Sequence, residues 1–277
     1  MNQPIKRCAV INDLSGFGRC SLTVAIPVLS ALGIQACALP TAILSNHTGF
    51  EHFYFEDYTD RMREYASHWS RLGLEFDSIY TGFLGSEKQV EAILEFVEQF
   101  RTADTLLFVD PAMADHGELY TTCTAELVDK MRDLVCHADV ITPNLTEACL
   151  LTGESYHGHI ETEGYDKIFA LAETLADMGP KQVIITGVKK GDHVANVVVD
   201  RTENTRFVVE SEHVSCEYCG TGDTFASALC GYLTAGMDLR EALEKTSDFV
   251  AKTIRYSFEH KLPPLEGVAF EPFLQDL

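Results

Sequence analysis

The chain is short of positive charge. Its 277 residues carry 21 Lys and Arg against 42 Asp and Glu, a formal net charge of −21. That deficit excludes a general nucleic-acid binder, which needs a basic face against the phosphate backbone. It argues equally against attachment to an anionic membrane surface. No stretch reaches the roughly 18 uninterrupted apolar residues of a membrane span. The opening MNQPIKRCAVIND has no apolar signal-peptide core, so the expected location is the cytoplasm. Linkers rich in Pro, Gly or Ser, internal repeats and low-complexity segments are all missing, which leads us to expect a single domain over residues 1–277. Two phosphate-binding signatures are absent as well. There is no G-x4-G-K-[ST], so a P-loop kinase is not supported. Gly16-Phe17-Gly18 lacks the third glycine of a dinucleotide fingerprint, and the acidic residue expected after the second strand is missing.

What is present is apolar alternation. Hydrophobic residues make up 46% of the chain, enough for a large α/β core. Short runs rich in Val, Ile and Leu predict strands at Arg7–Asn12, Ile34–Leu39, Ser78–Thr81, Thr105–Val109, Val140–Thr142, Gln182–Thr186, Val194–Val199 and Arg206–Val209. Between them, amphipathic stretches predict helices at Cys20–Leu32, Asp57–Leu72, Glu87–Arg101, Thr124–His137, Leu145–Thr152 and Tyr165–Met178, with two more at Asp223–Ala235 and Leu239–Tyr256. Ser86 is the expected N-cap of the third, and Pro27 should kink the first or shift its start. The order predicts a mostly parallel sheet covered by helices on both sides. The last two strands lack an intervening helix and read as a hairpin turning at Asp200–Asn204, and the tail from Leu262 should run over the surface.

The richest stretch is Cys219-Gly220-Thr221-Gly222-Asp223, which runs into an apolar helix. Glycines at a helix start let a ligand approach the backbone, and the first-turn amides there make an anion hole. Asp223 reads blandly as an N-cap. Its sharper reading is a general base for phosphoryl transfer, with the Gly220, Thr221 and Gly222 amides holding the developing charge. A second cluster, Thr142-Pro143-Asn144-Leu145-Thr146-Glu147, fits a capping box or a pair of ligating groups on one helix face. Asp110-Pro111 closes an apolar strand. Asp110, Asn144, Thr186-Gly187 and the Asp223 turn all fall at strand C-terminal ends, where parallel sheets collect ligands. Nine cysteines in a reducing compartment read mostly as small buried apolar residues. Cys216 and Cys219 form a C-x-x-C without the second half of a zinc site, and His157 and His159 sit in a polar loop and read as solvated.

Together these motifs resemble the ribokinase-like superfamily, in particular its pyridoxal (vitamin B6) kinase family. Ser45-Asn46-His47-Thr48-Gly49-Phe50 is similar to that family's S-N-H-T-G-Y, and Gly82-Phe83-Leu84-Gly85-Ser86 to its G-Y-L-G-S. Asp110-Pro111-Ala112-Met113, Thr142-Pro143-Asn144 with Glu147, and Gly220-Thr221-Gly222-Asp223 complete the match over nearly the whole chain. The resemblance implies a three-layer α/β/α sandwich and ATP-dependent phosphorylation of the 5′-hydroxymethyl group of pyridoxal, pyridoxine or pyridoxamine. It implies Asp223 as base, and Asn144 and Glu147 as the pair organising Mg²⁺, with Asp110 supporting the same region. Thr142, Thr186 and Gly187 match the nucleotide side, with Lys189 or Lys190 nearby. His47 and Thr48 fall on the segment closing over the pyridine ring, and Cys219 on the pocket lining. A homodimer and a monovalent cation such as K⁺ are further implications.

There are departures from the family pattern. Asp13 stands where a ring-binding serine is usual, and would face the protonated pyridine nitrogen or select the amine form. Leu44 replaces a phenylalanine, and Phe83 replaces a tyrosine and so loses a hydroxyl. Lost polar handles alter discrimination, so the preferred vitamer stays open. The alternatives are a hydroxymethylpyrimidine kinase or dual enzyme of the same superfamily and, outside enzymes, a silent vitamer or nucleotide sensor.

Overall fold

Residues of the first strand, β1 (Arg7–Ser15), sort alternately to two cores. Cys8 and Val10 point to one face, Ala9 and Ile11 to the other, and all four are fully buried. A strand apolar on both faces must be covered on both, and it is. The computed structural model describes residues 5–156 and 164–277. His157 and His159 lie outside the described residues.

After β1 the chain runs through α1 (Ser21–Ala31), β2 (Gln35–Leu44), β3 (Phe55–Asp57), α2 (Thr59–Arg71), β4 (Ser78–Thr81), α3 (Glu87–Phe100) and β5 (Leu106–Val109). A small hairpin follows, β6 (Ala114–Asp115) and β7 (Glu118–Leu119). Then come α4 (Ala125–His137), β8 (Val140–Ile141), α5 (Leu145–Thr152), α6 (Asp166–Asp177), β9 (Gln182–Lys190), β10 (His193–Asp200), β11 (Thr205–Glu212), α7 (Thr221–Ala235) and α8 (Leu239–Glu259). The large sheet has the order β11-β10-β9-β8-β5-β4-β1-β2-β3. Its strands from β2 to β9 pair in parallel, while β3, β10 and β11 add antiparallel edges. Helices α2 to α6 cover one face. Helices α1, α7 and α8 cover the other. The mostly parallel α/β/α sandwich is therefore what the chain forms.

Most expected elements stand within a few residues of their observed bounds, including the β10–β11 hairpin, which closes between Asp200 and Thr205. Three expectations change. β1 continues past Asn12 to Ser15, so Asp13 lies inside a strand, at a register shift between β1 and β2. Such irregularities re-aim side chains beside active sites. The tail does not stay on the surface. Pro263–Leu265 is exposed, but Val268, Ala269 and Phe270 are buried, and Phe270 joins the core of α1, α7 and α8. Ser86 occupies the N-cap position of α3, yet its side chain makes no capping bond. Instead Gln89 reaches back and accepts from the Gly85 N–H at 2.8 Å. Pro27 sits within α1, which starts at Ser21, one residue later than expected.

Consecutive strands leave β1 in opposite directions, β2 on one side and β4 on the other. That reversal opens a crevice beyond the C-terminal ends of β1 and β4. The same rim carries Asn12 and Asp13, Gly82 and Phe83, Asp110, Thr142 to Asn144, and Thr186-Gly187.

Candidate active site

Gly220 sets the geometry of the site. It is the N-cap of α7 with φ +70, in the left-handed region, and a Cβ placed on it would lie 1.7 Å from the Arg19 carbonyl oxygen. Only glycine allows the chain to pass Arg19 and enter the helix. Gly222 is different: nothing stands within 4 Å of where its Cβ would be. The first-turn amides of α7 have no acceptor within the helix and lie at the positive end of the helix dipole.

Asp223 is at the third position of α7 and caps nothing in its own helix, whose N-cap is Gly220 with no side-chain bond. The bland reading of this residue therefore fails. Its carboxylate looks across to β1 and α1. Asn12 Nδ2 donates to its Oδ1 at 3.3 Å. Burial is the largest influence and pushes its pKa up to about 6; the Ser21 N–H opposes this, and the charge of Asp13 adds to it. A carboxylate so tuned is a competent base near neutral pH.

Asp13 is buried and fully engaged. Ser21 Oγ donates to its Oδ1 at 2.5 Å and Ser15 Oγ to its Oδ2 at 2.7 Å. Burial raises its pKa, and the two hydroxyls oppose that. Asn12 ties the rim together. Its Oδ1 accepts from the Asp13 and Phe83 amides, both at 2.9 Å, and its amide group packs against Gly82, where a Cβ would clash at 2.2 Å. Phe83 is thereby held by its backbone while its side chain stays half-buried.

Asp110 accepts from Thr142 Oγ1 at 3.0 Å and is buried. Burial first, then the charge of Asp223, lifts its pKa to about 8. Glu147 is also raised well above the ordinary carboxyl range, by burial and then by Asp110. Its two oxygens accept the Met113 and Asn144 amides at 3.1 and 2.8 Å. Asn144 Oδ1 accepts the Glu147 amide at 2.9 Å, and its Nδ2 donates to the Ala114 carbonyl at 2.7 Å. The capping box is therefore formed, and it fixes Glu147 behind Asp110. Thr142, Asp110, Asn144 and Glu147 are brought together as one buried acidic group next to Asp223.

The energetics of that group are testable. A carboxyl whose folded pKa exceeds its unfolded value contributes stability that is present below the unfolded pKa and lost as pH rises through the folded one. For Asp110 the window runs from about 4 to about 8. Asp110→Asn keeps the shape and removes the charge. Its advantage over the parent should grow across that window to roughly 1–3 kcal/mol, read as a rise of several degrees in Tm for the ligand-free protein at pH 8, with turnover lost. Equal Tm values at pH 5 and pH 8 would contradict the assignment.

Thr186 and Gly187, expected on the nucleotide side, lie inside β9, which runs on to Lys190 rather than ending at Thr186; the Thr186 amide donates to the Pro143 carbonyl at 2.9 Å. Gly187 has φ +70 and open space about it. Lys189 pairs with Glu217, and Lys190 lies over the Tyr165 ring at 4.2 Å, so both ammonium groups are already engaged. His47, expected on the substrate side, is packed between Gly18 and Gly49 and against Phe50, with ring centroids 4.7 Å apart. Its Nδ1 accepts from the Gly49 amide at 3.2 Å, which leaves Nε2–H to donate to the Leu265 carbonyl at 2.6 Å. Thr48 beside it is half-buried. Cys219 faces Asp223, whose charge, after burial, raises the thiol pKa. Cys216 and Cys219 are both free thiols, and among the described residues no group of three His, Cys, Asp or Glu side chains forms a metal cage.

Several members of the site were not singled out from sequence. Asn12 reaches Asp223 from 211 positions away, while Ser15 and Ser21 hold Asp13 from two and eight positions away. Tyr120, next to the β6–β7 hairpin, was not singled out either, whereas Asp115 on β6 belongs with Asp110 in the sequence cluster; burial, then the charges of Glu147, Asp115, Asp110 and Asp223, raises the Tyr120 pKa. The readable signal was Asp115-His116-Gly117-Glu118, a two-residue turn in which His116 and Gly117 both take positive φ.

A family model described as phosphomethylpyrimidine kinase matches residues 25–264. A crystal structure from Bacteroides thetaiotaomicron, named as a candidate phosphomethylpyrimidine kinase, is 40% identical and superposes with a TM-score of 0.95 over 100% of this chain and 95% of that one. Another crystal form of that protein holds pyridoxal. Pyridoxal kinase from Lactobacillus plantarum is 31% identical, with a TM-score of 0.89 over 98% of this chain and 96% of that one. A pyridoxine/pyridoxal/pyridoxamine kinase of Bordetella avium is 29% identical over 86% of this chain and 81% of its own length.

Proposed function

The chain belongs to the phosphomethylpyrimidine kinase family, and from that premise we propose that it transfers the terminal phosphoryl group of ATP to the 5′-hydroxymethyl group of pyridoxal, pyridoxine or pyridoxamine. The observation that carries this reading is the seat of Asp223: a carboxylate with a pKa near 6, beside an open glycine turn at a helix N-terminus, on the rim of a parallel sheet. The relatives named as B6 kinases, and the pyridoxal in the B. thetaiotaomicron protein, support the substrate class.

In this reading Asp223 takes the hydroxyl proton as the oxygen attacks, and the amides of Gly220, Thr221 and Gly222 stabilise charge on the migrating group. His47, Thr48, Phe83 and Cys219 enclose the vitamer, and Asp13 faces its ring nitrogen. Thr142, Asn144, Thr186 and Gly187 border the nucleotide. The charges acting on Asp110 and Glu147 are other carboxylates, a donor set suited to a hard divalent cation. Mg²⁺ is usually held by one or two carboxylates, with phosphates and waters completing its shell; Asp110 and Glu147 would hold it here. When bound, it neutralises charge on the triphosphate.

The proposal extends to one domain over residues 1–277 acting as a cytoplasmic homodimer. No helix among the described residues is long and apolar enough to cross a membrane. The exposed Ile43 and Tyr54 border the β2–β3 edge, where such a pair would meet. A requirement for K⁺ is read by omitting it from the assay. Hydroxymethylpyrimidine is the second reading, favoured by the description of the family model. The test is phosphorus NMR of a reaction with ATP, Mg²⁺ and pyridoxal. The expected result is one 5′-phosphate ester per ADP. Absence of any phosphate ester with all three vitamers would overturn the proposal.

A further inference from the structure

After α8 the chain makes one 3-10 turn, Pro264–Glu266, and its three successive carbonyls reach three different segments. The Pro264 carbonyl accepts the Cys219 N–H at 3.1 Å, at the entry to α7. The Leu265 carbonyl accepts His47 Nε2–H at 2.6 Å, on the segment between β2 and β3. The Glu266 carbonyl accepts the Arg19 N–H at 3.0 Å, on the loop between β1 and α1. Proline carries no N–H and fixes φ at about −65°, so Pro263 and Pro264 preset the turn without adding donors of their own. Gly267 closes it. This residue is buried at φ +83, and a Cβ on it would lie 2.7 Å from the Arg19 carbonyl oxygen. Beyond it, Val268, Ala269 and Phe270 are buried, and the Ala269 N–H donates to Ser257 Oγ at 2.9 Å, which pins the turn to α8.

We infer that this turn is a clip that fixes the vitamer segment against the entry of α7, and that His47 is a positioning residue acting through it. The inference rests on the reading of the Asp223 turn as the site of phosphoryl transfer to a vitamer. Both ring nitrogens of His47 are engaged, Nδ1 by the Gly49 N–H at 3.2 Å and Nε2 by the Leu265 carbonyl, so the ring keeps no polar atom for the vitamer. It joins its own segment to the turn that holds Cys219. A change at Gly267, where a Cβ meets Arg19 first, therefore reaches the vitamer through the same clip.

The test reads the KM for pyridoxal. His47→Gln sets an amide nitrogen as many bonds from Cβ as Nε2 is, and so keeps the donor for Leu265. His47→Asn falls short of it. His47→Asn should raise the KM for pyridoxal about tenfold, the scale of one hydrogen bond, with kcat and the KM for ATP within about threefold. His47→Gln should stay within about threefold of the parent. Gly267→Ala should raise the same KM by a similar factor. The double variant, His47→Asn with Gly267→Ala, should exceed the larger single effect by no more than about threefold, because changes acting through one element do not add. If thermal melts show that Gly267→Ala does not fold, Pro264→Gly takes its place in the cycle, since it frees the turn at an exposed position. An unchanged KM in His47→Asn, no recovery in His47→Gln, or single effects that multiply to about a hundredfold in the double variant would overturn the clip. A parent that forms no vitamer-dependent ADP overturns the functional reading and the clip together; a parent that turns over, with variants that match it, overturns the clip alone.

Discussion

Asp223→Asn should lower kcat by at least about a hundredfold, and Asp223→Ala by as much, while KM for ATP and vitamer shifts by less than about threefold. Asn preserves the shape and the contact with Asn12 Nδ2 at 3.3 Å, so the loss isolates proton acceptance from packing. The parent enzyme supplies the control. Its base titrates near 6 because burial outweighs the Ser21 N–H and Asn12. A base works with its proton off, so kcat should fall about tenfold per pH unit below that point and level out above it. The Asn variant should lack this acid limb. A variant that turns over within tenfold of the parent, with the same limb, would show that the proton leaves by another route.

The second large effect is expected at Gly220. Gly220→Ala places a methyl group 1.7 Å from the Arg19 carbonyl oxygen at φ +70. The chain cannot keep both Arg19 and the α7 entry in place. A loss on the order of 3–5 kcal/mol predicts little folded protein at 37 °C. Gly222→Ala is the instructive partner. Nothing lies within 4 Å of its Cβ position, so Tm should move by no more than about 2 °C. The new methyl nevertheless enters the anion turn, and kcat should drop about tenfold or more. If both variants melt alike, the two glycines do not differ as described.

The order of strands and helices was legible because buried parallel strands are continuous apolar runs and their helices are amphipathic. What was not legible is short or non-local. β3, β6 and β7 span two or three residues each, too few for a period to register. Val268–Phe270 reads as tail, since nothing nearby announces the core of α1, α7 and α8 that receives it. For the site, the motif residues at strand ends are legible, and the spacing of Asn144 and Glu147 fits both a cap and a pair of ligands. The structure displays the cap, which also immobilises Glu147 for any ligand role. The bond from Asn12 to Asp223 joins residues 211 positions apart and has no local signature.

The account stands most directly on ADP release measured with pyridoxal, pyridoxine, pyridoxamine and hydroxymethylpyrimidine offered separately with ATP and Mg²⁺. It predicts ADP formation with the B6 alcohols, at a kcat/KM at least about tenfold above that for the pyrimidine. Preference for hydroxymethylpyrimidine, or no alcohol-dependent ADP with any of the four, would contradict it.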